Sequence, residues 1–238
     1  MNDNNLTAPR AKVELRKYSS KEKAKSNTWF FKTGPGQYGE GDKFIGLTVP
    51  NIRKVAKKFQ AISLSENNKL IHSDYHEERL LGLIILVGKY REAGETDKEE
   101  IYKNYMDNLA GVNNWDLVDS SAPYIVGVHL KNRDRKILYK LAKSKNMWER
   151  RVSILATASF IRDDDYEDTL KISLILLNDK EDLIHKAVGW MLREVGKRDA
   201  RVEMEFLNQH HSKMPRTMLR YAIEKFSPEL RAKYLKGF

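Results

Sequence analysis

His185-Lys186-Ala187-Val188-Gly189-Trp190 carries the chain's clearest structural signal. Polar and charged residues open it, then small and apolar ones follow, as on a helix entering a core beside a close neighbour. Four other stretches share this pattern: Glu78-Arg79-Leu80-Leu81-Gly82-Leu83, Trp115-Asp116-Leu117-Val118-Asp119-Ser120, Arg150-Arg151-Val152-Ser153-Ile154-Leu155 and Pro215-Arg216-Thr217-Met218-Leu219-Arg220. Aligned on Arg79, Asp116, Arg150, Lys186 and Arg216, they follow one another at steps of 37, 34, 36 and 30 residues. Each is preceded by an apolar helical stretch and a short polar turn. A drifting period of this size with two helices per unit predicts an all-α, HEAT-like or armadillo-like helical-repeat solenoid with a concave basic groove. A lone helix pair cannot bury its apolar face, whereas stacked pairs share one core. Gly82, Ser120, Ser153 and Gly189 fall at comparable points and permit close helix approach. An irregular bundle accounts less well for a motif that recurs five times.

Outward from the repeats, the turns carry stop and start signals. Asp163-Asp164-Asp165 reads as an N-cap with negative charge at the positive end of the next helix, rather than as a metal site. Pro215 suits the first turn of its helix. Residues 11–32 read as basic and helical, ending in Trp29-Phe30-Phe31, and Pro50-Asn51-Ile52-Arg53 opens a further helix. Between them lies Thr33-Gly34-Pro35-Gly36-Gln37-Tyr38-Gly39-Glu40-Gly41-Asp42, too rich in glycine for regular structure and without the Gly-Lys-Ser/Thr ending of a phosphate-binding loop. A single domain over residues 1–238 is expected, with 1–10 disordered and 33–43 a Gly-rich insert forming a flexible loop beside the groove.

Composition narrows the chemistry. Forty-three Lys and Arg against 33 Asp and Glu give a net charge of +10, a field that draws polyanions and makes their binding salt-dependent. The absence of cysteine removes disulfides, thiolate nucleophiles and cysteine-ligated metals, and fits a reducing bacterial cytoplasm or nucleoid. No apolar run reaches the roughly 20 residues that span a bilayer, and Met1–Arg10 carries no apolar signal segment. No Gly-x-Ser-x-Gly or His-Glu-x-x-His occurs, and His210-His211 reads as a solvated surface pair. No metal or cofactor is expected.

What remains is a set at the starts of successive second helices. Trp115 and Asp119 are four residues apart and share a helical face. Trp190 follows Arg151 by about one repeat, which puts both on the concave surface. Two indoles, a carboxylate and a guanidinium in a basic groove suit a cationic, planar ligand. Each alone has a structural use: Trp in a core, Asp as a cap, Arg as a bridge between repeats. Their coincidence with a basic solenoid favours a site. Arg53, Arg79, Trp148, Arg150, Lys186, Arg193, Lys197, Arg216 and Arg220 are the expected nucleic-acid contacts.

At these residues the chain resembles the HEAT-like-repeat DNA alkylation-repair family, the AlkD-type glycosylases. The matching segments are Asn114-Trp115-Asp116-Leu117-Val118-Asp119, Trp148-Glu149-Arg150-Arg151-Val152-Ser153-Ile154 and His185-Lys186-Ala187-Val188-Gly189-Trp190-Met191-Leu192-Arg193-Glu194, with Phe44-Ile45-Gly46-Leu47 through Pro50 at the entry to the first repeats. Together they span roughly residues 15–238. The resemblance implies Asp119 as catalytic carboxylate, Trp115 and Trp190 as cleft tryptophans and Arg151 as cleft arginine. The family's tyrosine ahead of the Phe-x-Gly segment has no match, and Phe30, Phe31 and Tyr38 are the candidates for that N-terminal aromatic wall.

The implied activity is excision of N3- or N7-alkylated purines from duplex DNA by a monomeric glycosylase, through contacts to the lesion's backbone rather than a base pocket. An alkylated purine is cationic and leaves readily. The carboxylate then has only to stabilise an oxocarbenium-like sugar and align water. Two other readings stand beside it: a non-catalytic binder of damaged or branched DNA, and a protein-binding scaffold.

Overall fold

The computed structural model describes residues 6–236. Residues 1–5, half of the segment expected to be disordered, lie outside the described residues. Ala8–Arg10 instead open the first helix. Ala8, Ala11 and Leu15 are buried on one face of it, and the Ala8 amide donates to Glu66 Oε2 at 2.8 Å. Among the described residues there is no strand, only an isolated bridge between Lys43 and Tyr75. The chain divides into two compact units, Met1–Ser121 and Ala122–Phe238.

The first unit holds α1 (Ala8–Arg16), α2 (Lys21–Phe30), α3 (Val49–Lys58), α4 (Leu64–Ile71), α5 (His76–Glu92), α6 (Glu95–Asp107) and α7 (Trp115–Asp119). Ile52, Val55 and Ala56 recur at helical spacing and turn α3 onto α5, while α4 packs along α5 from another side. Gly82 makes the second contact close: a Cβ there would lie 2.9 Å from an Ile71 side-chain carbon. Leu81, Leu83, Ile85 and Leu86 are all buried, so α5 is the axle of this unit.

The second unit holds α8 (Val128–Leu130), α9 (Lys136–Ala142), α10 (Met147–Ala156), α11 (Ala158–Ile161), α12 (Glu167–Ile175), α13 (Asp182–Arg198), α14 (Ala200–His210), α15 (Arg216–Ala222) and α16 (Pro228–Lys236). Pairing follows the repeat, α9 with α10 and α12 with α13, and the second helices α10, α13 and α15 stack in turn. Gly189 lets α15 approach α13, since a Cβ there would meet the Met218 carbonyl oxygen at 2.4 Å. All five quoted stretches fall on helices, at α5, α7, α10, α13 and α15.

Two local expectations change. Asp163-Asp164-Asp165 does not cap α12, whose N-cap is Tyr166 with no side-chain bond. The three carboxylates pair instead with cations elsewhere in the unit: Asp163 with Lys131 just after α8, Asp164 with Arg198 on α13 and Asp165 with Arg135 just before α9. Nor is the Gly-rich segment a free loop. Its turns are closed by Gly36 N–H to Glu40 at 2.8 Å and Gly39 N–H to the Lys32 carbonyl at 3.2 Å, and its far end is pinned through Asp42.

Candidate active site

The site begins at α7, which is only five residues long. A helix this short does not hold itself together in water, so its orientation comes from tertiary ties. Asn114 caps it by accepting the Trp115 amide at 2.8 Å. Leu117 and Val118 are buried, leaving Trp115 and Asp119 half-buried one turn apart, as their spacing predicts. Behind them, Tyr105 bonds Ser121 at 2.9 Å. Burial pushes the Tyr105 phenol well above its usual range, and the nearby Asp119 charge adds to this. Asp119 therefore sits beside a neutral phenol.

Trp115 faces the N-terminal aromatics. Its ring stacks on Phe31 with centroids 5.4 Å apart, and Phe30 meets it edge-on at 6.0 Å. These three, with Trp29, Val49 and Pro50, line a pocket of about 570 Å³. Trp29 is 83% exposed and Phe30 53%, so this aromatic wall is largely open to solvent. Phe30 and Phe31 thus both lie against Trp115. Tyr38 does not line this pocket; its hydroxyl points to the Phe30 carbonyl at 3.4 Å. Trp29 was not among the expected residues, although the run Trp29-Phe30-Phe31 at a basic helix end carried the signal.

At the back of the pocket, His76 is 1% exposed and lies against the rings of Phe31 and Phe44, at 4.6 and 4.8 Å. Its Nδ1 faces Asp42 at 3.2 Å and its Nε2 faces Asp116 at 2.8 Å. Burial pushes the imidazole pKa down, but the bonds to Asp116 and Asp42 outweigh it and raise it to about 9. Burial pushes Asp42 up; His76, Arg79 and Asn114 outweigh that and hold it below the usual carboxylate range. Beside His76, Glu77 is buried and accepts the backbone N–H groups of Ile45 and Gly46, both at 2.9 Å, and of Leu47 at 3.2 Å.

Several expected DNA contacts are placed otherwise. Arg79 is buried, with its guanidinium on Asp42 and on the Ser73 carbonyl at 2.9 Å. Arg150 grips Asp179 with two nitrogens, at 2.6 and 3.1 Å, and both side chains are largely buried. Trp148 is a core residue of α10. These three are structural, because a guanidinium consumed by a buried carboxylate, or an indole within a core, has nothing left for a phosphate. Arg53, Lys197, Arg216 and Arg220 are exposed. Lys197 meets Glu194 at 2.6 Å, and Arg216 donates to the Leu235 carbonyl at 2.6 Å. Lys186 pairs with Asp182 at 2.8 Å, and Arg193, more enclosed, with Glu224.

In the second unit Arg151 is 4% exposed and donates to the Leu183 carbonyl at 2.5 Å, tying α10 to the start of α13. Trp190 is half-buried on α13, its indole N–H donating to Glu194 at 3.0 Å. No group of three or more His, Asp or Glu suited to a metal ion occurs among the described residues. No helix among them is long and apolar enough to cross a membrane.

Residues 11–226 match the family model described as DNA alkylation repair enzyme. Among solved structures, the chain is similar to a predicted DNA alkylation repair enzyme from Enterococcus faecalis. The TM-score is 0.68 at 14% sequence identity, covering 88% of this chain and 97% of that one. At that identity the likeness establishes the fold, and with it the all-α helical-repeat class. No curated protein sequence matches the chain.

Proposed function

Since this chain belongs to the DNA alkylation repair enzyme family, we propose that it is a monofunctional DNA glycosylase that releases N3- or N7-alkylated purines from duplex DNA. The observation that carries this reading is the open wall of Trp29, Phe30 and Phe31 against Trp115, with Asp119 one helical turn further along α7. A carboxylate close to aromatic faces suits a cationic, planar ligand, with cation–π attraction of roughly 0.5–2 kcal/mol per ring.

In the proposed reaction the bond between sugar C1′ and the purine nitrogen breaks with its electron pair leaving on the base, which neutralises the base's positive charge. Asp119 stabilises the oxocarbenium-like sugar and orients a water whose oxygen bonds to C1′. The water's proton passes to the carboxylate and on to solvent. Trp115 packs against the deoxyribose or the base. Trp190 is proposed for the same role. Arg151 is proposed to act on a backbone phosphate, which requires its guanidinium to leave the Leu183 carbonyl. Among the basic residues, Arg53, Lys186, Lys197, Arg216 and Arg220 are the proposed phosphate contacts.

The test is release of 7-methylguanine or 3-methyladenine from methylated duplex DNA by the wild type and by Asp119→Asn. The reading predicts release by the wild type and a loss of roughly a hundredfold or more in the variant. Equal rates would remove Asp119 from the chemistry. Tight binding without release by the wild type would make the protein a non-catalytic binder.

A further inference from the structure

Three observations converge on His76. First, both its ring nitrogens face carboxylate oxygens, Asp42 on one side and Asp116 on the other. A neutral imidazole donates from one nitrogen only, so the cation alone satisfies both carboxylates at once. Second, the two carboxylates belong to segments too short or irregular to hold their own position, a run of turns and a five-residue helix. Asp42 ends the Gly-rich segment, and Asp116 lies in the first turn of α7. Third, Asp42 also accepts from Asn114, the cap of α7, at 3.0 Å, and from Arg79. The Asp116 oxygen turned away from His76 has no hydrogen-bond partner, so His76 is the polar tie of that carboxylate.

We propose that His76, bracketed by Asp42 and Asp116, is a positioning residue that locks α7, and so Asp119 and Trp115, onto the Gly-rich segment. Asp119 follows Asp116 by three residues, so a rotation of α7 about its axis moves both carboxylates together. Displacement of a reacting group by about 1 Å costs on the order of a hundredfold in rate. Phe31 extends the same contact, lying against His76 on one side and Trp115 on the other. The Gly-rich segment is thus a brace for the site rather than a mobile flank.

The charged groups facing His76 are Asp42 from the loop, Asp116 from α7 and Arg79 on its own helix. Glu77, beside it, turns its carboxylate to the Ile45–Leu47 amides. Lys23 from α2 lies on the same pocket. Asp42 and Asp116 favour the cation and Arg79 opposes it. Deprotonation of His76 therefore releases α7 from one side, and this occurs near pH 9.

The inference rests on the glycosylase reading for one measurement and is independent of it for the other. Single-turnover release of 7-methylguanine is measured across an alkaline range for wild type, His76→Gln and Asp42→Asn. The wild type is expected to lose rate as pH rises through about 9. His76→Gln is expected to be slower by roughly ten- to a hundredfold at neutral pH without that limb, and to bind duplex DNA as before. Asp42→Asn, which keeps the ring and the loop but removes one negative charge, is expected to move the limb toward neutral pH. In parallel, the Trp115 indole resonance is followed by NMR without DNA, where it is expected to titrate together with the His76 ring nitrogens. An unmoved limb in Asp42→Asn, or a Trp115 resonance indifferent to His76, overturns the positioning role. Coupled titration without base release by the wild type would retain it and reject the glycosylase.

Discussion

Glu203 on α14 is 2% exposed; its Oε1 has no hydrogen-bond partner, and its other oxygen crowds Gly196 on α13. Burial pushes its pKa up to about 8 against the opposing charge of Arg193. The folded protein thus keeps this proton to a higher pH than the unfolded chain does. Its stabilising effect is complete below the ordinary carboxylate range, about 4.3, and is lost as pH rises through about 8. Glu203→Gln is expected to melt with the wild type at low pH and several degrees above it in alkaline buffer; parallel melting curves against pH would refute this. Such residues show what a sequence conceals. Asp119 and Trp115 were legible because their relation is local, four positions on one helix. His76 was not, since its partners lie 34 and 40 positions away. Arg79 and Arg150 were misread because an arginine at a helix start looks the same whether it meets solvent or a buried aspartate.

Among the elements, α5 and α13 do most to fix the fold, and both depend on close approach at glycine. Gly189→Ala would press a methyl on the Met218 carbonyl across the α13–α15 contact. It is expected to cost roughly 1–3 kcal/mol in urea unfolding. Gly46 is the stricter case. It has φ near +86°, and a Cβ would overlap the Ser20 carbonyl, so Gly46→Ala should destabilise the first unit further. A smaller effect than at Gly189 would count against that ranking. The second helices were readable because small residues recur at their starts. The Gly-rich segment was not. Glycine content signals departure from regular structure, but it does not distinguish a mobile loop from one tied down by a terminal carboxylate such as Asp42.

For the whole molecule, the net charge of +10 predicts DNA binding that weakens steeply with salt. Arg53→Ala and Arg220→Ala, each removing an exposed cation, are expected to reduce the salt slope by about 1 apiece. Arg150→Ala should chiefly lower stability by breaking the Asp179 pair. A slope changed by Arg150→Ala and not by Arg220→Ala would reverse the assignment. The helical repeat was visible in the spacing of its helix starts. The division of contacts between Ser121 and Ala122 was not, because no composition shift marks it. Cleavage of the glycosidic bond is read from its two products. Duplex DNA carrying 7-methylguanine is incubated with excess protein, and free base and abasic sites are counted. Free 7-methylguanine and an equal number of abasic sites are expected, both lost in Asp119→Asn. Salt-sensitive binding that leaves every methylated base attached to its sugar would rule out the glycosylase.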